Sequence, residues 1–141
     1  MAVFNFHDSL MENLPEGVHV WGTHQLVYAL CATANAPVAG NTVLANLTQI
    51  SYTNLSTRNV TTSSSSQTAG AYALVLADLV LTASGGSAAA FRYLDLYNDT
   101  PTSPADPLIG WLDYASSLTL ASGEQLTIDH NAAGAITLAA A

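Results

Sequence analysis

The residues of this sequence best suited to binding a metal ion are four histidines and a single cysteine, namely His7, His19, His24, His130 and Cys31. Structural zinc sites draw about four such ligands from recurrent short spacings. The spacing of His19 and His24 matches no zinc signature, and Cys31 ends an apolar run in which a thiol packs as a small hydrophobic side chain. A lone cysteine cannot form an intrachain disulfide. We predict neither a metal site nor a cofactor.

Four aspartates, Asp95, Asp99, Asp106 and Asp113, are concentrated around one proline-rich stretch. A calcium site would need several of their oxygen atoms to converge on one point. A glycosidase would need two carboxyl groups at a defined separation across a cleft. Sequence spacing establishes neither arrangement, and solvated turn residues account for Asp99 and Asp106. Calcium binding by these aspartates therefore stays an open alternative.

Nucleophilic catalysis has no recognisable motif in this chain. Serines are numerous, but there is no Gly-x-Ser-x-Gly elbow and no nucleophile beside a candidate base. Gly85 and Gly86 form an isolated pair in a turn rather than a phosphate-binding loop. We therefore predict that the protein is not an enzyme and has no catalytic residues.

The charge of the chain is strongly one-sided. Ten aspartates and glutamates face two arginines, Arg58 and Arg92, there is no lysine, and the formal net charge is −8. Nucleic-acid binding needs Lys and Arg side chains to displace counterions from phosphates, and anionic membrane surfaces attract basic segments in the same way. The composition predicts no nucleic-acid partner and no membrane partner. Within a DNA-filled particle, such a chain would lie away from the DNA.

Short strand-like segments separated by turn signals run through most of the 141 residues. Residues 91–97 alternate between two faces, and residues 72–81 are apolar on both faces, which predicts a central strand. Residues 43–52 alternate loosely, whereas the serine run 63–66 is predicted to be a polar loop. Half of the chain is hydrophobic and 9% is charged, a composition that favours folding. Together these features predict a single-domain all-β fold, an antiparallel sandwich or barrel-like structure.

The N-terminal segment differs from the rest. Four apolar residues recur there at helical spacing before a proline stops the pattern: Phe6, Leu10, Met11 and Leu14. We predict a short helix or arm over residues 1–16, followed by a β domain over residues 17–141. About two helical turns are unstable alone. The segment must therefore pack either on its own domain or on a neighbouring subunit, with residues 18–139 expected to fold independently.

The central and C-terminal parts of the sequence resemble a family of small structural proteins from tailed-phage virions. The resemblance covers about residues 18–139 and rests mainly on FRYLDLYNDT at 91–100, PLIGWLDY at 107–114, LASGEQLTID at 120–129 and the stretch 134–138. The chain departs from the family in the middle, where residues 63–70 replace a glycine-rich turn. The resemblance implies a virion structural protein, most specifically a capsid decoration or cement protein.

This resemblance also sets the expected partners and location. A decoration protein would bind the major capsid protein, form a homo-oligomer such as a trimer or other small ring, and sit on the outer capsid surface after synthesis in the host bacterial cytoplasm. The alternatives are a tail or baseplate component and a carbohydrate-binding module for host attachment. The apolar N-terminal residues and the aromatic residues are the candidate interface: Phe4, Phe6, Leu10, Leu14, Trp21, Tyr93, Tyr97, Trp111 and Tyr114. The aromatic members of this set are also what a carbohydrate platform would use.

Overall fold

The structure is a computed structural model and describes residues 3–140. Its elements confirm the predicted all-β antiparallel fold, because ten strands accompany one short helix within these residues. In chain order they are β1 Phe4–Phe6, α1 Leu10–Asn13, β2 Leu26–Cys31, β3 Asn59–Val60, β4 Thr62–Thr68, β5 Ala71–Leu76, β6 Leu79–Thr82, β7 Phe91–Asn98, β8 Leu108–Leu118, β9 Gln125–Ile128 and β10 Ile136–Ala139, with a 3₁₀ turn at Leu44–Asn46.

The strands form three antiparallel sheets. The largest has five strands in the order β1-β8-β7-β2-β3, and it is accompanied by a three-stranded sheet β10-β5-β4 and a two-stranded sheet β6-β9. The centre of the large sheet is β7, which pairs with β2 over six residues and with β8 along most of its length.

One hydrophobic core joins the large sheet to the two smaller ones. It is built from the face of the large sheet that we call the core face, and from apolar residues of β5, β6, β9 and β10 that pack against it. The core-face residues of the two central strands are Leu26, Tyr28, Leu30, Leu94 and Leu96. This arrangement of sheets around a shared core is a sandwich.

The opposite face of the large sheet, which we call the outer face, is also covered. Alternation along β2 and β7 places Val27, Ala29, Cys31, Tyr93, Asp95 and Tyr97 on it. A small second cluster forms there where Leu44 and Leu47 pack against Val27, Ala29 and Tyr97. All six residues of β2 are therefore buried, because the strand is covered on both sides.

The predicted strand over residues 72–81 is divided. Its first half is β5, the centre of the three-stranded sheet, and its second half is β6, which pairs with β9 in a different sheet. The break falls at Ala77 and Asp78, where the Asp78 carboxylate accepts a hydrogen bond from the backbone N–H of His130 at 2.9 Å. The single polar residue of an otherwise apolar run thus marks the change of sheet.

Two other local predictions were wrong. The serine run lies in β4, an exposed edge strand that pairs with β5, rather than in a loop. The two strands are joined at Ala69 and Gly70, whose φ values of 51° and 83° suit a tight hairpin turn. The loosely alternating stretch 43–52 forms a 3₁₀ turn and isolated bridges instead of a strand.

The N-terminal segment is shorter in helix than predicted and pairs within its own chain. The helix covers Leu10–Asn13, and Phe6 belongs to strand β1, which pairs with β8 from Phe4↔Leu112 to Phe6↔Gly110. Leu10 is 1% exposed and is part of the main core. Residues 1 and 2 lie outside the described residues. From residue 4 onward, the sheet and core continue across the boundary predicted at residue 17.

Candidate functional site

A histidine and an aspartate meet beneath the covered outer face of the large sheet. Asp95 lies in the middle of β7, opposite Ala29 and Trp111, and His7 directly follows β1. The His7 Nε2 atom is 2.9 Å from Asp95 Oδ2, and both side chains are fully buried. The His7 Nδ1 atom is 3.1 Å from the carbonyl oxygen of Val38, and the imidazole packs on the Trp111 indole.

The surroundings of this pair determine its protonation chemistry. Burial raises the pKa of Asp95, while the hydrogen bond and charge of His7 act in the opposite direction. Asp95 Oδ1 is buried and has no hydrogen-bond partner among the described residues. Because neither side chain reaches solvent, the pair cannot contact a substrate in this conformation. The pair instead joins the N-terminal segment to β7.

A second polar cluster joins His19, His24 and Asn98 at the end of β7. The Asn98 Nδ2 atom is 3.1 Å from His19 Nδ1 and 2.9 Å from His24 Nδ1, so one amide group can donate to both rings. The backbone N–H of Val20 also donates to His24 Nδ1 at 3.2 Å. The structure therefore brings together the two histidines considered as metal ligands. Their Nδ1 atoms already accept hydrogen bonds from the protein.

This cluster disfavours positive charge. Burial, and next the proximity of His24, lower the pKa of His19 to about 4. Protonation of Nδ1 would place an N–H group opposite the amide that now donates to it. Among residues 3–140, no group of three or more His, Cys, Asp or Glu side chains is placed to hold a metal ion.

A cleft opens between the large sheet and the ends of the smaller sheets. Its first part encloses about 250 Å³, and a second part of about 260 Å³ adjoins it through Leu112, Ile128 and Asp129. Most of the lining is apolar: Phe4, Leu76, Leu94, Leu96, Leu112, Leu126, Ile128, Ala135 and Ile136. Such a cleft can take up apolar groups.

The polar side of this cleft is formed by Tyr28 and His130. The Tyr28 hydroxyl is 3.0 Å from His130 Nε2, and His130 Nδ1 is 2.9 Å from the carbonyl oxygen of Ala77. The carbonyl can only accept, so Nδ1 carries the proton and Nε2 accepts from the phenol. Burial raises the pKa of Tyr28 and lowers that of His130. Both groups therefore remain neutral and engaged with each other.

The four aspartates of the proline-rich stretch are dispersed. Asp95 is buried against His7, whereas the Asp113 carboxylate accepts two hydrogen bonds from Arg92, at 2.7 and 2.9 Å. Asp99 and Asp106 are close enough to interact, because burial and then the charge of Asp99 raise the pKa of Asp106. This distribution provides no convergence of all four carboxylates on one point.

The predicted interface residues occupy different environments. Leu10, Trp21, Tyr93 and Tyr97 are buried within the chain and are not part of its surface. Phe4 and Leu14 pack on the core, and Trp111 packs on His7. Phe6 and Tyr114 are exposed, at 44% and 42%. The aromatic side chains are therefore not assembled into one exposed platform of the kind that a carbohydrate-binding module would use.

The sequence analysis missed the partners of the buried polar groups. His7 and Asp95 are 88 residues apart, and Asn98 is 79 residues from His19. A signal was present nonetheless, because Asp95 is the one acidic residue within the stretch 93–97, whose other residues are aromatic or aliphatic. A carboxylate in a buried strand requires a partner. Val3 and Met11, which are 65% and 62% exposed, were also missed as surface apolar residues.

Comparison of the chain with protein-family models, with curated proteins and with solved structures finds no match. Of the described residues, none form a helix that is long and apolar enough to cross a membrane.

Proposed function

We propose that this chain is a non-enzymatic structural protein of a tailed-phage particle, and most specifically a capsid decoration protein that stabilises the head shell. The observation that carries the proposal is the resemblance of residues 91–114 and 120–138 to small virion structural proteins. In the fold these residues form β7, β8, β9 and β10 with their connecting turns. The resemblance therefore extends over all of β7 and β9 and over most of β8 and β10.

The charge supports a position on the outside of the shell. With a net charge of −8 and no lysine, the chain would be repelled by packaged DNA and kept soluble on a solvent-facing surface. The states of the reactive side chains support a structural role. Hydrogen bonds join His7 to Asp95 in a buried contact and Tyr28 to His130 in a half-buried one.

Attachment to the major capsid protein and to copies of the same chain would rest on apolar contacts. The N-terminal segment pairs with β8 in its own chain and still presents Val3, Phe6 and Met11, which are 65%, 44% and 62% exposed. With only two arginines, the chain has little means of forming salt bridges to an acidic shell. Stable attachment then needs a sizeable apolar area or many copies acting together.

Electron microscopy of particles of the virus that encodes this chain, labelled with an antibody against it, tests the location. Labelling of the outer head surface is the expected result. Labelling of the tail or baseplate would replace the decoration proposal with the tail alternative. Particles that contain no detectable copy of the chain would exclude both.

Surface substitutions test the proposed contact without removing β1. Phe6→Ser with Met11→Ser should weaken oligomerisation or sedimentation with capsids at least tenfold. Val80→Ser, at a 43% exposed valine of β6, is the matched control. Binding by the unaltered chain should change little between low and high salt, because the contact is apolar. A tenfold loss in high salt, equal to about 1.4 kcal/mol, would point to a basic partner surface instead.

A further inference from the structure

We propose that the His7–Asp95 pair holds the N-terminal segment, residues 4–14, on the large sheet through a proton that the folded chain must retain. Loss of this proton as the pH rises releases the segment. This inference concerns a conformational property of the chain and does not depend on the proposed virion function. The inference rests on the positions of two acceptor atoms, the Val38 carbonyl oxygen and Asp95 Oδ2, beside the two nitrogen atoms of one buried imidazole.

Both nitrogen atoms of the His7 ring face acceptors. Nδ1 is 3.1 Å from the Val38 carbonyl oxygen, which can only accept a hydrogen bond. Nε2 is 2.9 Å from Asp95 Oδ2. Two hydrogen bonds therefore require two protons in total, one on Nδ1 and one shared between Nε2 and the carboxyl group.

Two forms of the pair satisfy this count, and both have no net charge. The proton lies either on Nε2, giving an imidazolium beside a carboxylate, or on Asp95, giving a neutral ring beside a carboxylic acid. Removal of that proton would leave one ring nitrogen unprotonated. Either Nε2 would then face the Asp95 carboxylate without a hydrogen bond, or Nδ1 would face the Val38 carbonyl without one. It would also leave a net negative charge in a fully buried position.

The surrounding groups do not replace the missing proton. The titratable groups of β2 that interact with Asp95 are Tyr28 and Cys31, and burial raises the pKa of each and keeps it neutral. From β8, the Trp111 indole packs on His7 and does not titrate. Among the described residues, burial raises the pKa of the Asp95 carboxyl, and His7 is the group that acts against this rise.

Release would reach beyond the pair. The His7 backbone N–H donates to the Ile109 carbonyl at 3.1 Å, directly after β1 pairs with β8. Phe4 of β1 forms part of the cleft wall, and Leu10 contributes to the main core. Detachment of the segment would therefore open the cleft to solvent and uncover apolar surface.

The direction of the pH effect follows from proton counting. An ordinary histidine in an unfolded chain has a pKa of about 6.5, so above that pH the detached chain holds one proton fewer than the folded pair. The raised pKa of Asp95 describes the second position of this same proton, on the carboxyl group, and adds no further proton to the count. By this count the stabilisation is fully present between about pH 4, below which an unfolded aspartate takes up its own proton, and about pH 6.5, and it is lost as the pH rises through the titration of the folded pair.

The range from about pH 7 to pH 8 isolates the titration of the His7–Asp95 pair. The pKa values of His19 and His130 are lowered in the fold, so both rings are neutral in both states above about pH 7. Burial raises the pKa of Cys31 from its ordinary value of 9.0, so its effect begins only above this range. The His7–Asp95 pair is thus the group whose proton count differs between the folded and open states here.

Denaturant unfolding across this range tests the proposal on the full chain. For the unaltered protein, the unfolding equilibrium constant should rise by up to about tenfold per pH unit. In Asp95→Asn, the new amide can donate to a neutral His7 ring, so the rise should disappear while both hydrogen bonds persist. Asp129→Asn, at an exposed carboxylate, makes the same change in net charge and should keep the rise. An equal rise in Asp95→Asn and the unaltered chain would overturn the proposal.

Nitrogen NMR of the unaltered chain provides a test that does not depend on a variant folding. At pH 7.5 the signals should show a proton on His7 Nδ1, together with a second proton on either Nε2 or the Asp95 carboxyl. A pair that carries a single proton at this pH in the folded chain would overturn the proposal.

Discussion

The two faces of the large sheet differ in how they are stabilised, although the same strands form both. The core face buries Leu26, Leu30, Leu94 and Leu96 under the smaller sheets, and its packing is apolar almost throughout. The outer face contains Asp95 in the same central strand, and it is covered by a small apolar cluster and by His7. One face depends on apolar area, while the other also depends on a proton and on residues distant in sequence.

This difference shows why the two faces should respond to different perturbations. Apolar burial is insensitive to pH, and its loss scales with the volume removed. A buried ion pair contributes little net stability, but removal of one partner leaves the other buried in the protein interior, where water cannot solvate it. The outer face should therefore be robust only while both partners are present.

The largest expected loss of stability comes from removing one partner of the His7–Asp95 pair on the outer face. His7→Leu should lower the free energy of unfolding by about 4 kcal/mol at neutral pH, because Asp95 is left buried without its partner. The double variant His7→Leu with Asp95→Val should regain at least half of that loss. Denaturant unfolding of both single variants and the double variant measures the coupling. Equal losses in the single His7→Leu and the double variant would show that the pair has no energetic role.

The core face should give a somewhat smaller loss that does not vary with pH. Leu96→Ala removes most of a side chain that is 1% exposed and should cost about 3 kcal/mol. Val80→Ala, at a 43% exposed position, should stay within about 0.5 kcal/mol of the unaltered chain. Unfolding at pH 5 and pH 8 checks both values. A pH-dependent loss for Leu96→Ala would contradict the separation of the two faces.

The polar cluster of His19, His24 and Asn98 at the end of β7 should lose stability in acid. This change is opposite in sign to that of the His7–Asp95 pair. The pKa of His19 is lowered to about 4, so its contribution is present above the ordinary histidine value and is lost as the pH falls toward 4. We expect a loss of about 2 kcal/mol over this range. His19→Gln should remove this component from the difference between pH 7 and pH 4. A variant that shows the same acid loss would assign that loss to other groups.

The smallest expected change in stability comes from a turn that belongs to neither face, and it provides a reference for the larger changes. Ala69 has a φ of 51° in the turn between β4 and β5, a region that Asn adopts more readily than Ala. Ala69→Asn should stabilise the fold by about 0.5 kcal/mol, seen as a rise of about 1–2 °C in Tm. Because the turn is distant from the pair, this gain should add to the effect of Leu96→Ala. A destabilised variant would contradict the turn geometry.

Strand alternation made the core face predictable, but the sequence did not predict how segments divide between sheets. Residues 93–97 alternate in β7 as predicted, with Leu94 and Leu96 in the main core. Phe91 also lies in the main core, because the pairing of β7 with β8 is irregular between Phe91 and Tyr93. Residues 72–81 satisfy the pattern of one long strand, and only Asp78 signals that β5 and β6 belong to different sheets. The serine run forms β4 because pairing with β5 overrides its weak preference for a strand.

The polar groups of the site were predictable only as individual residues. A carboxyl group at Asp95 and an amide at Asn98 within a buried strand indicate that partners must exist. Which partners they are depends on how β1 and the residues before β2 approach β7, and no local pattern encodes that approach. Phe6 shows the same difficulty, because its spacing from Leu10 suits a helix while its pairing with Gly110 places it in a strand.

The pairing of β1 with β8 has a consequence for the time at which the protein can be completed during synthesis. Phe4, Phe6 and His7 leave the ribosome well before their partners at residues 109–112, which follow only after about a hundred more residues. At translation rates of about 5–20 residues per second, the first strand waits roughly 5–20 s without a sheet to join. Strand β1 then packs closely on Gly110. A Cβ atom at this position would lie 2.5 Å from the Asn5 carbonyl oxygen and 2.6 Å from the Phe4 ring. Strand β1 is thus made long before β8 is available to pair with it, and its two phenylalanines stay exposed to other nascent chains until then.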